Sequence, residues 1–383
     1  MTSSGAKTNL LGLTRGELEA FMAQMGEKKF RAHQVMKWIY KRSIADFDQM
    51  TDLAKSFRER LKDVAEVRAP RIALTQASAD GTRKWLLQME GRAADADQCV
   101  EMVFIPEPGR GTLCISSQIG CAMDCTFCST AQQGFNRNLS AAEIVAQVWQ
   151  ANRELRSSMP PDAQGQRGDI GDRIITNVVF MGMGEPLANY RNVIPAAEVF
   201  MDDIGFDLSR RRVTVSTSGL VPQIRKLAEE TNCALAVSLH APTDELRDQL
   251  VPINRKHPIA ELLDACWYYV EKQNARSITF EYVMLDGVND QPAHAYELVR
   301  LLKGHPAKVN LIPFNRFPGT QYRCSSRPAM EKFRDILNTR GVIATTRRTR
   351  GDDIDAACGQ LVGRVRDRTT VRLGSKLISV AVQ

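Results

Sequence analysis

Three cysteines lie within eight residues of one another in the first half of the chain. Cys121, Cys125 and Cys128 have the spacing C-x3-C-x2-C. The chain has nine cysteines among 383 residues, so a grouping this dense is rare by chance. Clustered thiolates are metal ligands, and the spacing therefore predicts a metal centre at this point of the chain.

The residues alone leave two kinds of metal centre open. A structural zinc site needs four protein ligands, usually as two separated Cys or His pairs, and no fourth Cys or His stands at a matching spacing. Three thiolates can instead hold three corners of a four-iron, four-sulfur cubane, which leaves one iron open for the amino and carboxylate groups of an amino acid. The lack of a fourth ligand favours the cluster over zinc.

Further polar residues stand where predicted β-strands end. Gly184 and Glu185 follow the run ITNVVFM. A glycine lets the backbone approach a ligand closely, and a carboxylate can accept hydrogen bonds from an ammonium group. The other candidates of this kind, each of which could instead cap a turn, are Ser216, Ser238, His240 and Asn315.

Two other cysteines and one glutamate have ordinary structural explanations when each is taken alone. Cys114 lies on a predicted strand just before the three-cysteine motif, and Cys358 lies in an acidic, glycine-containing loop near the C-terminus. Cysteines of this kind are often small buried core residues. Glu101, in the run VEMVFIP, is explained as a solvated carboxylate on a strand.

Beyond Gly111, six short runs rich in β-branched residues alternate with helical stretches. These runs predict the strands that position the candidate residues. The runs are TLCISSQ, ITNVVFMGM, RRVTVSTSG, CALAVSLH, SITFEYVML and KVNLIPFN. Such alternation predicts an α/β fold with a parallel sheet, and six units favour a partial (β/α)6 barrel over a doubly wound sheet. Active sites of such barrels lie at the carboxyl ends of the strands, where the three-cysteine motif follows the first run. The polar stretch 157–172 predicts a surface loop.

Charge and periodicity predict three parts. Residues 1–70 are a basic helical accessory module with 13 Lys or Arg against 9 Asp or Glu, residues 71–110 are a β extension, and residues 111–383 are the catalytic domain. Residues 340–383 are also basic, with 9 Lys or Arg against 4 Asp or Glu. Basic segments of this kind suit RNA phosphates, although a solvated basic face has the same composition.

The composition, with 43% apolar and 25% charged residues, is that of a folded globular protein and excludes disordered and fibrous classes. The sequence shows no secretory leader and no run of about 20 apolar residues that could cross a membrane. An odd number of scattered cysteines is unlike a secreted disulfide scaffold. We expect a cytoplasmic protein without a membrane segment.

The three-cysteine motif, with Phe127 before its last cysteine, resembles the signature of the radical S-adenosylmethionine (SAM) superfamily. The surrounding GCAMDCTFCSTAQQGFNRNL resembles the RlmN and Cfr family of RNA adenine methyltransferases, as do FMGMGEPL, VTVSTSG, AVSLHAP, LIPFN and RRTRGDDIDAACGQL. The resemblance implies a partial radical-SAM barrel with an N-terminal RNA-binding module, one [4Fe-4S] cluster on the three cysteines, and SAM. The residues that it implies for SAM binding are Gly184, Glu185, Ser216, Ser238, Leu239, His240 and Asn315.

The resemblance also implies a reaction. Adenine C2 has no acidic proton, so attack on a methyl sulfonium fails there and radical addition is needed. In the implied scheme one SAM methylates Cys358, and a second SAM is cleaved at the cluster to a radical that abstracts hydrogen from the new methyl group. The resulting carbon adds to the adenine. Cys114 then releases the product by forming a transient disulfide with Cys358, and Glu101 is the proton acceptor.

The implied substrates are one adenosine in the peptidyl transferase centre of 23S ribosomal RNA and the adenosine next to the anticodon of transfer RNA. An electron donor such as flavodoxin and a monomeric state are expected as well. Two alternatives remain: an enzyme of the same family that methylates C8 of the ribosomal adenosine, which would share Cys114 and Cys358, and a zinc-bearing RNA-binding assembly factor without catalysis.

Overall fold

The computed structural model describes residues 7–90, 98–158 and 173–369. Nearly all of the polar stretch that predicts a surface loop lies outside the described residues, as do residues 370–383 of the basic C-terminal segment. Within the described ranges, no helix is long and apolar enough to cross a membrane.

The N-terminal part is mainly helical. Its elements are β1 (Thr8–Asn9), α1 (Arg15–Gln24), α2 (Phe30–Met36), α3 (Lys55–Val64) and β2 (Ala65–Glu66), and β1 pairs with β2 in parallel. α1 begins with a capping box in which Thr14 and Glu17 satisfy each other's backbone N–H groups. α2 continues as a π-helical turn over Lys37–Lys41, and Val35, Met36, Ile39 and Tyr40 of this segment are buried.

A ten-stranded sheet forms the body of the protein. Its first four strands are antiparallel neighbours: β3 (Arg71–Ala77), β4 (Arg83–Gln88), β5 (Cys99–Glu107) and β6 (Arg110–Cys114). The first three of them lie within residues 71–110, where we expected a β extension. From β6 onward the strands run parallel, because helices carry the chain back between them.

The remaining elements follow in chain order. They are β7 (Gln118–Gly120), α4 (Ser129–Gln132), β8 (Phe135–Asn138), α5 (Ala141–Ser157), β9 (Asn177–Phe180), α6 (Tyr190–Met201), β10 (Val213–Thr217), α7 (Val221–Glu230), β11 (Ala234–Ser238), α8 (Asp244–Leu250), α9 (Ile259–Gln273), β12 (Ile278–Met284), α10 (Pro292–Leu302), β13 (Ala307–Pro313), α11 (Arg327–Thr339) and β14 (Ile343–Thr346). The small antiparallel pair of β7 and β8 flanks the three-cysteine loop.

The parallel part has the strand order β6-β9-β10-β11-β12-β13-β14. The six predicted strands are β6 and β9 to β13, and the predicted α/β fold is confirmed. The six β/α units are confirmed as well, and β14 adds a seventh parallel strand beside β13. β14 is a four-residue edge strand with two exposed positions, so its sequence lacks the apolar run that marks the others.

The N-terminal helices are fixed to the body by specific contacts. The indole N–H of Trp149 on α5 donates to the Ile39 carbonyl oxygen at 2.9 Å. Arg15 on α1 binds the carboxylate of Asp202, which caps α6, at 2.6 Å. Their apolar side chains belong to the same buried cluster as the sheet and its helices.

Candidate active site

A cavity of about 1010 Å³, partly open to solvent, lies at the carboxyl ends of the parallel strands. Residues from β9, β10, β11, β12 and β13 all line it, which requires the sheet to curl around it. The cavity therefore occupies the position where barrel folds of this type bind ligands.

Cys121, Cys125 and Cys128 all line this cavity. Burial raises the pKa of each of the three thiols, and the negative charge of the other two cysteines raises that of Cys125 further. Three adjacent thiolates in one buried place need cations between them, and iron supplies these in a cluster. No three His, Cys, Asp or Glu side chains of the described ranges are close enough to bind a single metal ion. Three cysteines that each bind a different iron of a cubane can lie farther apart than three ligands of one metal ion. The donor set therefore fits a cluster.

The three-cysteine loop is held from two sides. Thr126 donates its backbone N–H to the Leu250 carbonyl at 3.2 Å, and its hydroxyl lies 2.8 Å from the Tyr322 hydroxyl. Behind the loop, Ser129 of α4 donates its backbone N–H to the Gly359 carbonyl at 2.8 Å. The loop with the cysteines therefore rests directly on the loop that carries Cys358.

Glu185 is buried on the wall of the cavity. Its carboxylate accepts hydrogen bonds from the Ser218 N–H at 2.7 Å, the Ser218 hydroxyl at 2.9 Å and the Leu187 N–H at 3.0 Å. Burial raises its pKa, while these hydrogen bonds favour the ionised form. The Thr217 side chain adds a further hydrogen bond to the same carboxylate. A buried carboxylate at the cavity wall suits a cationic ligand.

Gly184 precedes Glu185 with φ +99°. A Cβ at this position would lie 2.5 Å from the Cβ of Gln118. Gln118 in turn accepts the Glu185 backbone N–H at 2.8 Å through its side-chain oxygen. Glycine is needed here because Gln118 fills the space that a side chain would need, a reason different from the ligand approach that we expected.

His240 is buried with its ring edge against Phe127, at 4.5 Å between ring centroids. Its Nδ1 accepts the Val283 N–H at 3.0 Å, so the proton of the neutral ring is assigned to Nε2. Burial, reinforced by the charge of Arg247, lowers the pKa of His240 to about 3. The ring is therefore a neutral hydrogen-bond donor at physiological pH.

Of the other predicted SAM-binding residues, some line the large cavity and some do not. Ser216 and Ser238 line the large cavity. Leu239 does not, because its side chain is wholly buried in the core, although its backbone lies between two lining residues. Asn315 lies in a neighbouring smaller cavity, and its amide nitrogen is 3.5 Å from the Cys358 carbonyl oxygen.

The smaller cavity, of about 470 Å³, brings together Cys114 and Cys358, which are distant in sequence. Cys358 lines both cavities, so it stands between the three-cysteine loop and Cys114. No disulfide bond joins any of the nine cysteines. Burial, with the nearby charge of Cys358, raises the pKa of the Cys114 thiol to about 12.

Glu101 is buried, and it lines neither cavity. Its carboxylate is 3.3 Å from the ammonium of Lys84 and accepts the Val362 N–H at 3.0 Å. The interpretation of Glu101 as a solvated carboxylate is wrong, because tertiary contacts from β4 and the C-terminal segment enclose it.

Sequence reasoning missed three charged residues of this region. Arg347, directly after β14, donates to the Cys358 sulfur at 3.0 Å. Glu281 on β12 lines the large cavity and accepts a hydrogen bond from Asn310 at 2.8 Å. Arg247 on α8 is fully buried behind the ends of β10 and β11. Arg347 lies inside the motif RRTRGDDIDAACGQL and could have been singled out, whereas Arg247 and Glu281 have no local signal.

Comparisons with known proteins agree with this geometry. The model of the N-terminal domain of ribosomal RNA large subunit methyltransferases matches residues 8–67, and that of the Radical SAM superfamily matches residues 115–299. A protein named dual-specificity RNA methyltransferase RlmN from Marinobacter nauticus is 55% identical over 370 residues, which cover 96% of this chain and 96% of that protein. One of the same name from Alkalilimnicola ehrlichii is 55% identical and covers 94% of this chain and 95% of its own.

A solved structure is similar over nearly the whole fold. The crystal structure of a radical SAM methyltransferase from Sphaerobacter thermophilus is 43% identical and superposes with a TM-score of 0.83, covering 92% of this chain and 99% of that one.

These similarities confirm the predicted family and show that the protein is an enzyme, so the alternative of a non-catalytic zinc factor is wrong. Membership of the radical SAM superfamily implies SAM and a [4Fe-4S] cluster as cofactors. The chain belongs to the RlmN family of radical SAM methyltransferases.

Proposed function

We propose that this enzyme methylates C2 of adenosine 2503 in 23S ribosomal RNA and C2 of adenosine 37 in transfer RNAs, through a methylated Cys358. The names of the relatives, which specify RNA and a dual specificity, support RNA as the substrate. Both RNA classes belong to the cytoplasm, so we propose that compartment, a monomeric state and a flavodoxin-type electron donor.

In this proposal Cys121, Cys125 and Cys128 hold the cluster, which when bound supplies the electron that cleaves SAM. Glu185 offers its carboxylate to the SAM ammonium. Ser216, Ser238 and the Nε2–H of His240 offer further polar groups in the same cavity. We propose that Gly184 and Leu239 contribute backbone contacts and that Asn315 contributes from the adjoining cavity.

One observation carries the proposal. Cys358 lines the cavity of the three cysteines and also the cavity of Cys114. A thiol at this junction can take a methyl group on one side and meet a second thiol on the other. Such an arrangement serves a covalent carrier that must later be detached by thiol–disulfide exchange.

The chain's residues divide the work accordingly. Cys358 accepts the methyl group on sulfur, presents it to the large cavity and joins its carbon to the adenine. Cys114 attacks the Cys358 sulfur to detach the product. We propose Glu101 as the proton acceptor, and because its two oxygens are engaged by Lys84 and Val362, this role requires the loop around Cys358 to move.

The test is expression of this chain in a bacterium that lacks its own enzyme, followed by mass spectrometry of nucleosides from purified 23S ribosomal RNA and transfer RNA. The proposal predicts 2-methyladenosine in both. Finding 8-methyladenosine in the ribosomal RNA would identify the C8 enzyme instead, and finding neither nucleoside would contradict the proposal. The Cys358→Ala variant is the matched negative control.

A further inference from the structure

Arg347 is a charged side chain in contact with Cys358. Its Nη1 is 3.0 Å from the Cys358 sulfur. Its backbone N–H donates to the Leu311 carbonyl on β13 at 2.8 Å, which fixes the residue where β14 ends. The side chain is half-buried and lines both cavities. The guanidinium is therefore held by the sheet at the sulfur that must react.

The groups around Arg347 come from several elements and are acidic. Cys114 lies on β6, Glu281 on β12 and Glu107 at the end of β5. Cys358 first, then Glu281 and Cys114, raise the pKa of Arg347 against the opposing effect of burial. The Glu281 carboxylate has a second partner in Asn310. The Arg347 guanidinium thus faces the thiols of Cys358 and Cys114 and the carboxylate of Glu281, which Asn310 holds in place by a hydrogen bond.

We propose that Arg347 is a catalytic residue of the first half of the reaction, in which its guanidinium stabilises the Cys358 thiolate and aims it at the methyl group of SAM. The inference rests on the proposed function and assigns to this residue the activation of the carrier cysteine.

The chemistry requires such a group. The thiolate is the nucleophile, whereas the thiol is not. A guanidinium stays charged under all ordinary conditions, and its hydrogen bond to sulfur favours the ionised form. In the step itself the thiol proton leaves to solvent water, a Cys358 S–C bond forms, the sulfonium S–CH3 bond breaks, and S-adenosylhomocysteine departs with the electron pair of that bond.

The product of this step interacts more weakly with Arg347 than the thiolate does. A thioether sulfur carries no charge and is only a weak hydrogen-bond acceptor. Methylation therefore loosens the contact that holds Cys358, and the guanidinium remains beside Glu281 and Cys114. The same residue that prepares Cys358 thus holds it less tightly once it carries the methyl group.

The test is the alkylation of Cys358 by iodoacetamide in anaerobically purified, cluster-loaded enzyme, followed by peptide mass spectrometry of the fraction that carries a free thiol. We expect Arg347→Met to lower the alkylation rate near neutral pH about tenfold, because the thiolate is the reacting form and it loses the hydrogen-bond donor at 3.0 Å that stabilises it. Arg347→Lys keeps the positive charge, so the alkylation rate of Cys358 should fall less than in Arg347→Met. Arg340→Met removes an exposed arginine at the end of α11, outside both cavities, and should behave as wild type.

An equal rate in Arg347→Met and wild type across the pH range would overturn the inference. If Arg347→Met does not fold, the inference is tested by comparing the alkylation rates of two cysteines in the wild-type protein. Cys324 is also half-buried and provides an internal reference. Cys358 must then react faster than Cys324 near neutral pH, and an equal or slower rate would overturn the inference. A failure of the proposed function would give a different result. In that case the alkylation rate of Cys358 would still depend on Arg347, but SAM would never methylate Cys358.

Discussion

Lys84 and Glu101 form a buried ion pair on the neighbouring strands β4 and β5, with 3.3 Å between ammonium and carboxylate. Lys84 also donates to the Asp355 carbonyl at 3.2 Å, and Glu101 accepts the Val362 N–H at 3.0 Å. Cys358 lies between these two attachment points in the chain. The ion pair therefore anchors both ends of the loop that carries it.

Replacing Lys84 with methionine should release this loop. The change leaves the buried Glu101 carboxylate unpaired, and breaking a buried pair in this way costs about 3–5 kcal/mol of unfolding free energy. Hydrogen exchange followed by mass spectrometry should show faster exchange over residues 355–362. Lys308→Met, at an exposed position on β13, is the control and should change stability by less than about 0.5 kcal/mol. Unchanged exchange in Lys84→Met would show that the pair does not anchor the loop.

Replacing Cys358 and replacing Cys114, the two cysteines of the small cavity, should block the reaction at different steps. Cys358→Ala removes the methyl carrier, so RNA methylation should stop while the iron content and visible absorption of the cluster stay at wild-type levels. Cys114→Ala leaves the carrier but removes the thiol that detaches it, so a covalent complex of enzyme and RNA should accumulate. Denaturing gel electrophoresis with labelled RNA measures the complex. Its absence in Cys114→Ala would refute the proposed resolving role.

His240 should make the stability of the fold depend on pH. Its pKa is lowered from 6.5 to about 3 in the folded protein, so between these values the unfolded chain binds the extra proton. Stability is therefore full above about pH 6.5 and falls as the pH is lowered, by up to about 1.4 kcal/mol per pH unit. Urea unfolding from about pH 7 to about pH 5 should show a loss about 2 kcal/mol larger in wild type than in His240→Asn. Parallel pH profiles would contradict a buried neutral histidine.

Arg247 should stabilise the ends of two strands, β10 and β11, that bear proposed SAM-binding residues. It donates to the carbonyls of Ser218 at 2.6 Å, Ser238 at 3.0 Å and Leu239 at 3.1 Å. Arg247→Met removes the side-chain donor from three buried carbonyls and should cost at least about 3 kcal/mol in urea unfolding, from about 1–3 kcal/mol for each buried acceptor left unpaired. Arg225→Met, which removes an exposed pair with Asp264, should cost less than about 1 kcal/mol. Equal effects of the two changes would show that Arg247 has no such role.

The sequence predicted the strands of the catalytic part well because each is a compact apolar run bounded by polar turns. It predicted β14 poorly, because a short edge strand needs few apolar residues. The chemical residues that it revealed stand in dense local motifs, as Cys121, Cys125 and Cys128 do. Lys84 and Arg247 stand in no such motif, and their burial depends on partners that are distant in the chain.

The central claim is that the transferred carbon passes through Cys358 and loses one hydrogen there. It is tested most directly with SAM whose methyl group carries three deuterium atoms, supplied to enzyme whose Cys358 is initially unmethylated. Hydrogen abstraction from the methylated cysteine predicts 2-methyladenosine that retains two of the three deuterium atoms, measured by nucleoside mass spectrometry. A product that retains all three would mean direct methyl transfer and would contradict the account.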